Sequence, residues 1–327
     1  MSDFISSYGL FLAELATLAA LVAVIVLLIA SVRRSGQSDG LTIQHLNRRY
    51  EDSVAGIKRV ILGKERFKKE AKARAKERKL ERRARAKEEI SRPRMFVLEF
   101  KGDLRASAAA SLREEISAVL AVAIAGDRVL LKLENPGGAV HEHGFAASQL
   151  ARIKQRGIGL DVVVDKVAAS GGYLMACVAD RIIAAPFAII GSIGVLAQLP
   201  NFHRWLEEKG VDFEQLTAGR YKRTLTFFGK NTDEGRQKLQ QEIDEVHELF
   251  KRQIAEHRPQ VNLDEVATGE HWYGAQALEL KLVDELRTSD DVLLEAAKDR
   301  DLYLVTYRRH KSWPERVMGG AESWLSR

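Results

Sequence analysis

A serine hydroxyl attacks carbonyl carbon only where a neighbour takes its proton and where backbone N–H groups wait for the oxygen that becomes charged. One stretch has the composition for this: Asp165-Lys-Val-Ala-Ala-Ser170-Gly-Gly-Tyr-Leu-Met175-Ala. Ala168, Ala169, Gly171 and Gly172 leave little bulk around Ser170, so the chain can turn sharply and the Gly171 amide can point at a substrate oxygen. The competing reading is a helix N-cap, because serine before an apolar helical run commonly caps it. A second small-residue turn, Glu134-Asn-Pro-Gly-Gly138, follows an apolar run. Gly137 and Gly138 there either offer backbone to a ligand or form an ordinary turn. Farther along, Gly219-Arg-Tyr-Lys222-Arg-Thr carries a cation into a loop. A lysine serves as a base near neutral pH only if burial lowers its pKa by several units from about 10.4. Tyr221, Leu225, Phe227 and Phe228 could supply that burial, whereas Arg220 and Arg223 suggest a plain surface lysine.

Such groups need a rigid frame. Met95 to Phe100, Arg128 to Leu133 and Ile158 to Val164 read as strands, the last apolar enough to be buried on both faces. Ala106 to Ile124 and Val140 to Gln155 carry apolar residues at helical spacing, and Tyr173 to Ala179 reads as a buried helix. Alternating strands and helices predict an α/β domain with a mainly parallel sheet. His141 and His143 fall on the Val140 helix, but an H-x-H pair there faces opposite sides and no Cys or acidic cluster completes a metal site; they read as surface or substrate-facing. Past Ser170, Arg181 to Ala185 and Phe187 to Leu196 read as buried strands and turns, Asn201 to Lys209 as a helix and Val211 to Leu216 as a strand. Thr232 to Arg258 is a long amphipathic helix, Glu270 to Asp284 a turn, short helix and returning strand, and Leu302 to Tyr307 with the basic tail is peripheral.

Charge is uneven. Residues 33–95 hold 21 Lys+Arg against 9 Asp+Glu, while the whole chain carries only +6, so the basic character belongs to one arm. That arm adjoins an uncharged, apolar run from Leu15 to Val32, long enough to span a bilayer as a helix. Residues 1–14 contain no Lys or Arg, unlike a cleaved signal peptide, so the run is read as an uncleaved single-pass anchor. A basic block beside such a span points to anionic lipid headgroups, and the near absence of interleaved aromatic residues speaks against nucleic acid. Arg33, Arg34, Arg48 and Arg49 after the span place the bulk of the chain in the cytoplasm by the positive-inside rule. The lone cysteine, Cys177, forms no intrachain disulfide and reads as core packing.

Taken together, Asn135-Pro-Gly-Gly138, Ala169-Ser-Gly-Gly-Tyr173, Gly191-Ser-Ile-Gly-Val195, Gly219-Arg-Tyr-Lys222 and Trp272 to Leu280 through Leu282-Val-Asp284 occur in an order that resembles the signal peptide peptidase A family, nearest its shorter SohB-type members. The resemblance covers roughly residues 95 to 290. It implies a ClpP/crotonase-like fold and a serine endopeptidase whose base is lysine. Ser170 then matches the nucleophile, Lys222 the general base 52 positions later, and Ser192 a hydroxyl that orients the lysine. Gly171 and one of Gly137 or Gly138 match the oxyanion-binding backbone. Asn135 departs from the family's usual serine before the proline. A bacterial inner membrane, a periplasmic face opposed to the charge rule, a ring- or dome-shaped homo-oligomer, unfolded or peptide substrates and no metal or organic cofactor are likewise implied. The expected segments are an anchor over 1–34, a basic linker over 35–93, the peptidase domain over 94–290 and an extension over 291–327. Rival readings are a Ser-His-Asp enzyme using His203, an acyl-thioester enzyme of the same fold, and an inactive scaffold at the membrane.

Overall fold

The computed structural model describes residues 40–88 and 92–308, together with residues 15, 17–19, 21 and 22, which are helical. The presumed anchor over 1–34 therefore lies mostly outside the described residues. Among the described residues no helix is long and apolar enough to cross a membrane. Two compact bodies divide the chain, one of residues 43–306 and one of residues 1–42 with 307–327. Within the second, the described residues are the short helical stretch and extended backbone at 40–42 and 307–308.

In chain order the elements are β1 (Gly40–His45), α1 (Leu46–Glu88), β2 (Arg94–Lys101), α2 (Ala109–Val122), β3 (Arg128–Glu134), α3 (Val140–Gln155), β4 (Gly159–Val164), β5 (Val167–Ala169) and α4 (Gly171–Ala176). There follow β6 (Arg181–Ala184), β7 (Ile189–Gly191), α5 (His203–Glu208), α6 (Asp233–His257), α7 (Leu263–Val266), β8 (His271–Tyr273), α8 (Gly274–Glu279), β9 (Glu285–Leu286), α9 (Ser289–Ala296) and β10 (Asp301–Arg308). The main sheet runs β1-β10-β2-β3-β4-β6-β9, with parallel pairing from β10 to β9. A small second sheet, β5-β7-β8, stands beside it. This is the α/β architecture expected from the alternating pattern.

Side chains alternate across a strand, and here both faces of the sheet are covered. Phe96, Leu98, Val129, Leu131, Leu160 and Val162 enter one core, under α2 and α3. Their neighbours Met95, Val97, Leu130, Val163 and Ile183 enter a second core with Leu46, Val292, Leu293 and Leu302. The second core corrects the expected boundaries at 94 and 290. Leu46 opens the basic arm, and Val292 and Leu302 belong to the expected extension, yet all three are buried against the sheet. Asn47 fastens them: its amide donates to Ala297 and Arg300 carbonyls at 3.2 and 2.9 Å and accepts from Leu302 N–H at 2.7 Å. The stretch read as peripheral is thus a strand of the main sheet. α1 itself breaks its helical backbone at Gly63 (φ 68°, ψ 165°).

Two other expectations fail. Val211 to Leu216 forms no strand; it is exposed irregular chain, since β-forming side chains without a neighbouring ladder have nothing to pair with. Of the run Phe187 to Leu196, only the segment around β7 is buried, while Phe187 and Leu196 are 86% and 76% exposed.

Candidate active site

The small sheet positions Ser170. β5 pairs in parallel with β7 in the register Ala169 to Gly191, so the next residue on each strand, Ser170 and Ser192, emerge side by side. Ser170 N–H donates to Gly191 O at 2.8 Å, and Ser192 N–H to Glu270 O at 2.7 Å. On its other side β5 bridges to Asn135: Asn135 N–H donates to Val167 O (2.8 Å) and Ala169 N–H to Asn135 O (3.0 Å). The strand is held from both edges just before the serine.

At Ser170 the chain leaves the strand and begins α4 with φ 51° and ψ −119°, a left-handed backbone that costs a serine about 1–3 kcal/mol. Ser170 occupies the N-cap position of α4, but its hydroxyl makes no capping bond. The cap reading therefore loses its physical basis, since a cap is defined by the oxygen that accepts an orphan helix N–H. A strained serine on a strand-to-helix turn, hydroxyl uncommitted, is the geometry of a nucleophile. Ser192 adopts the same unusual conformation (φ 52°).

The Pro136-Gly137-Gly138 turn lies against this serine. A Cβ on Gly137 would come within 2.7 Å of Ser170 Cβ and 2.8 Å of Ala169 O, and Gly137 has φ 93°, so the position admits only glycine. Gly137 N–H donates to Asn135 Oδ1 at 2.9 Å and is spent inside the turn. Among the described residues Gly138 N–H and Gly171 N–H have no acceptor. Ser170, Gly137, Gly138, Gly171 and Ser192 line one cleft of about 1500 Å³, whose walls include Leu104, Val140, Leu174, Val195, Ile243 and Phe250.

Lys222 stands elsewhere. It is exposed, makes only a backbone bond to Gly219 O (3.2 Å), and is not part of the cleft wall. Tyr221, Phe227 and Phe228, expected to bury it, are themselves 44–46% exposed. The loop is fixed from outside: Arg220 pairs with Glu234 at 2.7 Å, and Arg220 and Lys238 both lie over the Tyr221 ring. Within one chain, then, Ser170, both glycine turns and Ser192 converge, and Lys222 does not.

His203, half-buried at the start of α5, is not part of the cleft wall. His141 is exposed as expected, but His143 is fully buried beneath the site, against the expectation of a surface or substrate-facing side chain. The clue in sequence was its helical phase: His143 shares the face of Ala146, Ala147 and Leu150. Cys177 behaves as core: it is buried, and burial pushes its thiol up to about 12. Tyr173, buried beside it, donates to Leu282 O at 2.9 Å and is likewise raised by burial.

A strained, uncapped serine at a cleft lined by free backbone N–H groups defines a serine-type peptidase, and comparison with known proteins agrees. Residues 152–303 match the model of peptidase family S49, and residues 3–150 that of the peptidase family S49 N-terminal region. The chain is 48% identical over 323 residues to "Probable protease SohB" of Haemophilus influenzae, covering 95% of this chain and 91% of that protein. It is 46% identical over 306 residues to "Probable protease SohB" of Buchnera aphidicola subsp. Schlechtendalia chinensis, covering 89% and 99%. The chain belongs to peptidase family S49. Among solved structures, a mutant of the 1510-N membrane-bound stomatin-specific protease aligns at TM-score 0.43 and 14% identity, over 63% of this chain and 85% of that one.

Proposed function

We propose that the chain is a membrane-anchored serine endopeptidase with a ClpP/crotonase-like fold and a Ser170/Lys222 dyad. It cleaves extended apolar peptides such as signal-peptide remnants or misfolded membrane-associated chains. The observation that carries this reading is the strained, uncapped Ser170 at a cleft that Gly138 and Gly171 also line, their N–H groups without acceptors among the described residues. Ser170 Oγ attacks the scissile carbonyl carbon while its proton passes to an uncharged Lys222 Nζ. Gly138 and Gly171 N–H hold the oxyanion; the bond of Gly137 N–H to Asn135 supports Gly138 as the donor from that turn. The C–N bond then breaks as the lysine returns the proton to the leaving amine, and water, activated by the same lysine, releases the acyl group from Ser170. Ser192, next to Ser170 by strand register, orients the amine. The apolar cleft walls support an apolar, extended substrate.

The exposure of Lys222 supports a homo-oligomeric ring in which one copy's loop reaches the cleft of the next. Phe202, Phe213, Phe227 and Phe228, stacked near the loop and all at least 42% exposed, suit burial by such a neighbour. The apolar run over Leu15 to Val32 supports a single-pass anchor in a bacterial inner membrane, with the basic arm against anionic headgroups. The same exposure of Lys222 favours one rival, an inactive scaffold whose groove only binds.

Mixing separates them. Ser170→Ala and Lys222→Ala proteins are each expected to leave an unfolded apolar polypeptide intact. Co-assembled in equal amounts, they should regain about a quarter of wild-type turnover, because a head-to-tail interface then pairs an intact serine with an intact lysine in a quarter of sites. Cleavage by both single variants at the wild-type rate would remove the dyad. Wild-type protein that binds the polypeptide without cutting it would establish the scaffold.

A further inference from the structure

Among the buried polar side chains that the mechanism above does not use, His143 lies against the site. His143 on α3 has no exposed surface, and its ring meets both halves of the oxyanion site. Its face lies on Gly171: a Cβ there would come within 2.4 Å of His143 Cγ and 2.6 Å of Cδ2. Its Nε2 lies 3.2 Å from Asn135 Oδ1, the oxygen that accepts Gly137 N–H. Nδ1 lies 2.9 Å from Ala139 O. Gly171 carries one proposed oxyanion donor and the Gly137-Gly138 turn the other, so a single imidazole spans the frames of both.

The orientation of the amide follows from its partners. The Asn135 amide is oriented by two contacts of its own, Oδ1 accepting from Gly137 N–H and Nδ2 directed at Met175 Sδ at 3.3 Å. Turning the amide over would set its NH2 against the Gly137 N–H, donor against donor. Oδ1 therefore faces His143, and Nδ1 faces a second oxygen that only accepts, Ala139 O; a ring with one N–H bonds one of the two, and it holds the amide only when that proton is on Nε2. Gly102 closes the remaining side of the amide, since a Cβ there would lie 2.3 Å from Oδ1. The amide has no room to move away.

We propose that His143 is a positioning residue of the peptidase, its Nε2–H donating to Asn135 Oδ1 so that the amide holds the Gly137-Gly138 turn with the Gly138 N–H aimed at the oxyanion. The residue that departs from the usual family pattern, Asn135, is thereby paired with a histidine one helical turn into α3. The pair replaces flexibility in a glycine-rich turn with two directed hydrogen bonds, which is what a preorganised oxyanion site requires. This rests on the peptidase reading only for its effect on turnover; its effect on the turn is independent of any activity.

Three variants of the full chain in detergent test it. In His143→Gln the side-chain nitrogen stands where Nε2 was and keeps the donor to Oδ1. His143→Asn keeps a polar group near Nδ1 but loses that donor, and His143→Phe keeps only the ring packed on Gly171. Amide hydrogen exchange over residues 135–139, followed by mass spectrometry, should be about tenfold faster in the Asn and Phe variants than in wild type or the Gln variant. Turnover of an unfolded polypeptide should fall about tenfold in kcat for Asn and Phe, with KM unchanged, and stay near wild type for Gln. If Gln exchanges and turns over like Phe, or if Asn or Phe matches wild type, the Nε2 donor has no role and the proposal is overturned. Should wild-type protein not turn over at all, the exchange result alone decides: protection in Gln and its loss in Asn uphold the clamp, equal exchange in all variants overturns it, and the peptidase reading fails separately.

Discussion

The two halves of the proposed site are built in opposite ways. Around Ser170 every backbone neighbour is fixed: β5 is paired on both edges, Gly137 packs within contact of the serine, and His143 and Asn135 fill the space beneath. Around Lys222 the chain is irregular, outward-facing and held by an exposed ion pair that is worth little in water. Strain of the kind seen at Ser170 persists only where surroundings over-determine it. A lysine that must lose its charge to act needs surroundings that desolvate it, and its own domain supplies none. The contrast teaches that folding alone fixes the surroundings of Ser170, and that on the proposed reading the surroundings of Lys222 would have to come from a neighbouring copy.

The largest effect expected on this contrast comes from Gly137→Ala. The added methyl meets Ser170 Cβ and Ala169 O at under 3 Å on a backbone with φ 93°, so the turn must shift and carry Gly138 with it. Turnover should drop by about 10²–10³, the cost of losing one oxyanion donor, with the secondary structure seen by circular dichroism unchanged. Near-normal turnover would mean that the buried half is less determined than its contacts suggest. A smaller loss, about tenfold, is expected when Phe213→Ser and Phe228→Ser are combined on the outward half. Sedimentation should then report smaller species at an unaltered melting temperature. Loss of activity in a particle of unchanged size would break the link between assembly and the lysine.

A third change bears on stability alone. Asn47→Ala removes one acceptor and two donations that join the start of α1 to residues 297–302. Leu302 N–H and two carbonyls lose partners near the core, which costs about 2–3 kcal/mol and shows in the denaturant midpoint. Turnover per folded molecule should not change, because Asn47 lies against the sheet face away from the cleft.

What the chain disclosed in advance divides along the same line. β2, β3, β4, α2 and α3 were legible because each is a run whose apolar residues follow its own period, and α3 falls on the very residues expected, Val140–Gln155. Ser170 and its glycines were legible because sharp turns restrict residue types so severely. β5, β7 and β8 were not, since three-residue strands carry too few positions to show a period. The sheet position of β10 and the docking of Leu46 are long-range facts, decided by pairing with residues over 200 positions away. The burial of His143 departs from expectation because the H-x-H spacing separates it from His141, while the face it shares with Ala146, Ala147 and Leu150 decides where it points. The exposure of Lys222 is legible in part: Arg220 and Arg223 point to a surface lysine, while Tyr221, Phe227 and Phe228, which could cover it, face outward with it in the fold.

The smallest expected effect compares the halves directly by thiol chemistry. Cys177 lies at the far end of α4 from Ser170, fully buried, and burial raises its thiol to about 12. In the folded wild type it should therefore resist a thiol-specific reagent at pH 8, where an unfolded chain reacts at once. The linkage has a sign. Because the folded thiol holds its proton above the usual value near 9, Cys177 contributes stability that is complete below about pH 9 and is lost as pH rises toward 12. Cys177→Ala should flatten that alkaline slope. In the same background, Lys222→Cys places a thiol on the outward loop, where a lone chain leaves it open to reagent. Labelling should be rapid in the Phe213→Ser, Phe228→Ser protein and at least tenfold slower in the intact assembly, since a neighbouring copy then covers the loop. Equal labelling in both would show that nothing covers position 222, and the lysine would then have no route to an uncharged state.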